Sequence, residues 1–119
     1  MTNVSKQLHN RTYYARKLLT CELRLSGHYR TELHNPAAAL YPEEREYMKR
    51  VVDAADRLSH YLKNCSDSEL RKRFVDMVLL RGDNDVQAVC DTLHISKATY
   101  YNWRRSALRV FGANMGVYL

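Results

Sequence analysis

The stretch Val89–Arg105 limits what this chain can become more than any other. Val89 and Leu93, four residues apart, give one apolar face to a short helix, and Tyr100 and Trp103, three apart, begin the apolar face of a second. Between them His94-Ile95-Ser96 makes a turn. Ser96 stands where its hydroxyl can accept a bond from a free amide of the second helix's first turn. The spacing therefore predicts a helix-turn-helix, with a first helix from Asp85 or Val86 to Leu93 and a second from Lys97 to about Phe111, ended by Gly112. The residue that opens such a turn commonly has positive φ, which favours glycine; histidine tolerates that region better than most residues.

The rest of the chain agrees with an all-α fold. Among 119 residues there are four glycines and two prolines. No alternation of apolar and polar residues persists long enough to suggest a sheet. A chain of this length buries roughly two-thirds of its unfolded surface, enough for a real core. We divide it into an N-terminal helical region, residues 1–64, and a C-terminal helix-turn-helix domain, residues 65–119, preceded by two or three helices.

Residues 3–25 read as a helix with an interrupted apolar stripe of Val4, Leu8, Leu18, Leu19, Leu23 and Leu25. Arg11, Arg16 and Lys17 fall among Tyr13 and Tyr14. That mixture reads as long side chains lying over a small core, the alternative being contact with phosphates. Ser26-Gly27 is expected to end this helix, with one more turn at Tyr29–Leu33 before Asn35-Pro36 and a linker at 35–41. Pro42 then suits a helix first turn, and Glu43, Glu44 and Glu46 put negative charge at its positive end. Tyr47, Val51, Ala54, Leu58 and Tyr61 or Leu62 recur at spacings of three and four to about Asn64, a stripe narrow enough either to pack on the domain or to pair with a second copy. A polar break with capping residues, Ser66–Glu69, precedes a helix carrying Leu70, Phe74, Met77 and Val78 to Leu80 or Arg81. Its Arg71-Lys72-Arg73 cluster is read as a solvated face. The tail 113–119 is expected to be mobile.

Charge narrows the function classes. The net charge of +6 is uneven: residues 1–30 carry six bases against one acid, residues 96–112 carry Lys97, Arg104, Arg105 and Arg109 with no acid, and the middle of the chain is acidic. A basic helix face points to a polyanion, since each phosphate neutralised releases counterions. At about 100° per residue, Tyr100, Trp103, Ala107 and Phe111 share the inner side of the second helix, while Ala98, Asn102, Arg105 and Arg109 share the outer. Arginine binds guanine bidentately at its major-groove edge, asparagine does the same to adenine, and a small residue meets a thymine methyl. Ser96, Lys97, Thr99 and Tyr101 flank that face, within reach of phosphates or bases, whereas Arg104 is expected to lie along the core edge or reach back to a phosphate. The candidate double-stranded-DNA contacts are thus Ser96, Lys97, Ala98, Thr99, Tyr101, Asn102, Arg105 and Arg109.

Other chemistries find little support. His9, His28, His34, His60 and His94 show no metal-ligand spacing with cysteine or acid, so no metal or other cofactor is expected. No phosphate-cradling glycine loop, nucleophile elbow or paired carboxylates appear, and an enzyme is not expected. The widely spaced Cys21, Cys65 and Cys90 suit reduced thiols in a cytoplasmic protein. The polar start and the absence of an apolar run of about 20 residues give no reason to expect a signal peptide or a membrane partner.

Residues Leu70–Gly112, with Arg71-Lys72-Arg73-Phe74-Val75-Asp76-Met77-Val78-Leu79-Leu80-Arg81, His94-Ile95-Ser96-Lys97-Ala98-Thr99-Tyr100-Tyr101 and Arg104-Arg105-Ser106-Ala107-Leu108, resemble the phage-encoded ArpU/RinA-type transcriptional regulators. Their helix-turn-helix is similar to region 4 of bacterial sigma factors. The resemblance implies a small DNA-binding regulator of phage or prophage late genes, such as packaging and structural operons. It places DNA contact on the outward positions of Lys97–Arg109. A homodimer reading adjacent half-sites in the host bacterial cytoplasm, with host RNA polymerase as a further partner, is the accompanying expectation. The competing reading is a DNA-recognition subunit of a packaging (small terminase-like) or recombination complex.

Overall fold

The computed structural model describes the backbone of residues 3–119 and the side chains of residues 11–119, and among the described residues it has five α-helices and no strand. They are α1 Asn3–His34, α2 Pro42–Lys63, α3 Ser68–Val75, α4 Val86–Leu93 and α5 Lys97–Asn114, with a π-helical segment, Asp76–Leu80, continuing α3. The fold is all-α. Val4 and Leu8 of the expected α1 stripe lie outside the residues with described side chains.

The start of α2 follows from its residues. Pro42 takes the first helical position, where an amide is not needed, and Glu44 reaches back so that its Oε1 accepts from the Tyr41 N–H at 3.4 Å. Its apolar stripe is buried within the chain: Val51, Val52, Ala54, Leu58 and Leu62 all face the core. The alternative in which that stripe pairs with a second copy is therefore not realised. α1 and α5 cover it from either side, and Phe74, Val78, Leu79, Val89, Leu93, Tyr100, Leu108 and Phe111 complete one cluster that spans residues before and after position 64.

Two glycines behave differently from expectation. Gly27 lies inside α1, which runs unbroken to His34. The Ser26 hydroxyl donates to the Leu23 carbonyl, Tyr29 packs against the core, and the Arg30–Asp56 ion pair fastens this end of α1 to α2. Tertiary contacts thus carry the helix through a residue of poor propensity. Gly112 lies inside α5, which reaches Asn114. A Cβ there would stand 2.9 Å from Leu19 Cδ1 and 2.8 Å from the Val117 carbonyl, so a glycine lets α1 and the tail approach. The tail folds back: the Val117 N–H donates to the Gly112 carbonyl at 2.8 Å, and Met115, Val117 and Leu119 pack on the core. The expectation of a mobile tail is corrected accordingly.

The expected stripe of α1 is also redistributed. Leu19 and Leu23 are buried, with Thr20 and Ser26 beside them, whereas Leu18 and Leu25 face solvent. In the break before α3, Asp67 takes a left-handed conformation (φ 55°) and its side chain caps nothing. Among the described residues no helix is long and apolar enough to cross a membrane.

Candidate functional site

The α4–α5 pair is built locally. Asp85 Oδ1 accepts from the Ala88 N–H at 3.1 Å and starts α4. His94 ends it in the left-handed region, φ 56° and ψ 46°, while the Ile95 N–H donates to the Cys90 carbonyl at 3.1 Å. Ser96 then starts α5, its Oγ accepting from the Thr99 N–H at 3.1 Å. Three residues thus join the two helices, with His94 where glycine is the commoner choice.

Packing sets the rotation of α5. Tyr100, Ala107, Leu108 and Phe111 are buried. Phe74 meets the Tyr100 ring edge-on at 5.2 Å between centroids and the Trp103 ring at 5.7 Å. Trp103 is only half-buried, its outer face covered by the Arg71 guanidinium 5.1 Å from the ring centroid. Arg71, read from sequence as part of a solvated cluster, is therefore a packing residue whose NH1 also reaches Cys65 Sγ at 3.6 Å. Burial, chiefly, pushes the Tyr100 hydroxyl above the usual tyrosine range, with the Arg104 charge opposing.

With α5 seated this way, Ala98, Asn102, Arg105 and Arg109 are all exposed on one face. Arg105 NH1 donates to Asn102 Oδ1 at 3.3 Å, which lines up a guanidinium and a carboxamide side by side. Lys97 and Ser96 are exposed at the helix start; the Ser96 hydroxyl is committed to the cap and to Thr99 Oγ1 at 3.0 Å, and Thr99 is half-buried. Tyr101 is 49% exposed on the flank nearer α1, its ring 5.1 Å from that of Tyr100. All eight sequence-derived candidates lie on the first three and a half turns of α5 or at its cap, with six of them on the open surface besides the capping Ser96 and the half-buried Thr99. No ion pair joins Lys97, Arg104, Arg105 or Arg109 to an acid among the described residues.

Beside this face runs a groove of about 260 Å³ between α1, the Gly82–Asn84 turn and α5, lined in part by Thr20, Arg24, Tyr101 and Arg104. Sequence reasoning placed Arg104 along the core edge, and there it is, half-buried in the groove. It gave no structural role to Arg24. The π-helical segment explains that residue: the Arg81 N–H reaches back five residues to the Asp76 carbonyl at 2.8 Å, and Arg24 Nε donates to the Leu79 carbonyl at 2.7 Å. Fifty-five residues of separation left no local signal of that contact. Leu108 was also missed, although its place beside Ala107 and three before Phe111 is a detectable extension of the apolar stripe.

No group of three or more histidine, cysteine or acidic side chains is placed to hold a metal among the described residues. What the surface offers is an all-helical scaffold presenting one uncompensated basic and amide-bearing helix face. The chain belongs to the family described as protein of unknown function DUF1492, which matches residues 32–112, from the end of α1 through most of α5. Neither a curated protein nor a solved structure matches it.

Proposed function

We propose that this chain is a sequence-specific double-stranded-DNA-binding transcriptional regulator, phage or prophage encoded, acting on late genes in the bacterial cytoplasm with host RNA polymerase as partner. In this reading α4, the His94–Ser96 turn and α5 act as a helix-turn-helix of the ArpU/RinA and sigma region 4 type. α5 enters the major groove, α4 braces it against the backbone, and two copies read adjacent half-sites.

One observation carries the reading: Ala98, Asn102, Arg105 and Arg109 stand exposed on a single helix face with no acidic partner among the described residues, and Arg105 and Asn102 are aligned by their own hydrogen bond. A face kept only for solubility has no need of an amide placed beside a guanidinium. That pair matches the bidentate edges of adenine and guanine. Lys97 at the helix start and Arg104 in the flanking groove suit phosphates.

Selection of bound fragments from a random duplex pool at two salt concentrations tests it. A shared sequence with affinity falling steeply with salt is expected. Recovery of no common sequence, or no duplex binding, sinks the reading. A ring of eight or more copies in solution transfers it to the packaging alternative.

A further inference from the structure

The exposed face of α1 carries a second apolar stripe that is left uncovered among the described residues. Tyr14 is 66% exposed, Leu18 59% and Leu25 40%, and Cys21 is exposed between them. Their spacings are four, three and four, the heptad alternation that keeps residues on one line of a helix over three turns. That line is nearly opposite the core side of α1, where Leu19, Leu23 and Ser26 are buried. α2 carries a stripe of comparable spacing and buries it inside the molecule; α1 has one face for the core and one left over.

We infer that the Tyr14–Leu18–Cys21–Leu25 stripe is a self-association seam, on which α1 of a second copy packs in parallel. A heptad stripe fits another helix of the same period, and the flanking charges select both the partner and its direction. Lys17 borders the seam on one side and Glu22 on the other. In a parallel pair, flanking residues five apart face each other, so Lys17 of each copy meets Glu22 of the other. In an antiparallel pair centred on Leu18 and Cys21, Lys17 meets Arg24 instead, a like-charge contact. Glu22 also accepts the Tyr29 hydroxyl at 3.3 Å, which holds its carboxylate at that edge. Parallel packing brings each Cys21 opposite its own counterpart.

This deepens the two-copy part of the proposed function and rests on that reading only for its consequence at DNA; the interface itself is tested without DNA. Sedimentation equilibrium of the full chain from micromolar to millimolar concentration is expected to show a monomer–dimer equilibrium. A short bismaleimide is expected to link the dimer, and the Cys21→Ser control to abolish the link. Leu18→Lys, at an exposed position, is expected to keep the helical circular dichroism and to weaken association at least tenfold. Lys17→Glu is expected to weaken it several-fold. A chain that stays monomeric throughout, a dimer indifferent to Leu18→Lys, or a dimer that bismaleimide does not link overturns the seam. Tighter association in Lys17→Glu, which sets that carboxylate against Arg24, overturns the parallel direction. A monomer that still selects a duplex sequence leaves the DNA reading standing, and a linked dimer that binds no duplex removes that reading alone.

Discussion

The two ends of the chain carry similar positive charge and use it in opposite ways. On α1, the Arg24 guanidinium is tied to the Leu79 carbonyl and Arg30 to Asp56. On α5, Lys97, Arg105 and Arg109 point outward without an acid to pair with among the described residues. The first set is largely occupied in holding helices together, and the second is left available. Net charge along a sequence therefore identifies a candidate partner surface only after internal contacts have claimed their share.

The largest way to break this contrast is to remove the packing that rotates α5. Phe74 is fully buried and contacts both Tyr100 and Trp103, so Phe74→Ala is expected to cost about 3–5 kcal/mol. Trp103→Ala is expected to cost less, because that ring is only half-buried beneath Arg71. Urea denaturation of both variants checks the order; a reversed order means α5 is turned from the orientation described.

Next come paired arginines at the two ends. Arg24→Ala leaves the Leu79 carbonyl without its side-chain partner and is expected to lower stability by roughly 1–3 kcal/mol. Arg105→Ala and Asn102→Ala are expected to leave stability within about 0.5 kcal/mol, since both side chains are exposed. On a selected duplex they are expected to lose roughly 1–3 kcal/mol of discrimination against altered sites. Equal weakening on every duplex counts against base reading. A destabilised Arg105→Ala erases the difference between the two ends.

How legible all this was depends on the range of each interaction. The span of α4, the start of α5, the Ser96 cap and the outward set on α5 are written in neighbours three or four residues apart, and they were readable. The continuation of α1 through Gly27 and of α5 through Gly112 was not, because glycine weakens a helix locally while Leu19, Tyr29 and Val117 reinforce it from elsewhere. The roles of Arg24 and Arg71 depend on partners brought by the fold. Side-chain length and charge alone do not separate a strut from a ligand contact.

A subtler lock between α1 and α2 responds to pH. Tyr29 and Tyr47 stand 6.4 Å apart between ring centroids, with Glu22 beside them. The Tyr47 hydroxyl is pushed up to about 12, first by burial and then by the hydrogen bond and charge of Glu22. An unfolded tyrosine titrates near about 10. The folded state therefore holds this proton more tightly, and the resulting stability is complete below pH ~10 and is lost as pH rises toward ~12. Tyrosine absorbance titration is expected to show a late-titrating group, and Glu22→Gln to bring it down. With Tyr47→Phe marking which late group is Tyr47, that group left unchanged in Glu22→Gln removes the carboxylate from this lock.

The smallest effect opposes the same residue type in the two end helices. Gly27 has open space around a would-be Cβ, within a helix and at an exposed position. Gly27→Ala removes backbone freedom from the unfolded chain without a clash, and is expected to stabilise by about 0.5–1 kcal/mol. Gly112→Ala puts a methyl 2.8 Å from the Val117 carbonyl and 2.9 Å from Leu19, so it is expected to destabilise despite the same gain in helix propensity. Thermal melts of the two variants read opposite signs if α1 is exposed at Gly27 while α5 is clasped at Gly112. A loss of stability in Gly27→Ala means that α1 bends or breaks there, so that Tyr29 and Arg30 reach α2 from a separate turn and not from one continuous helix.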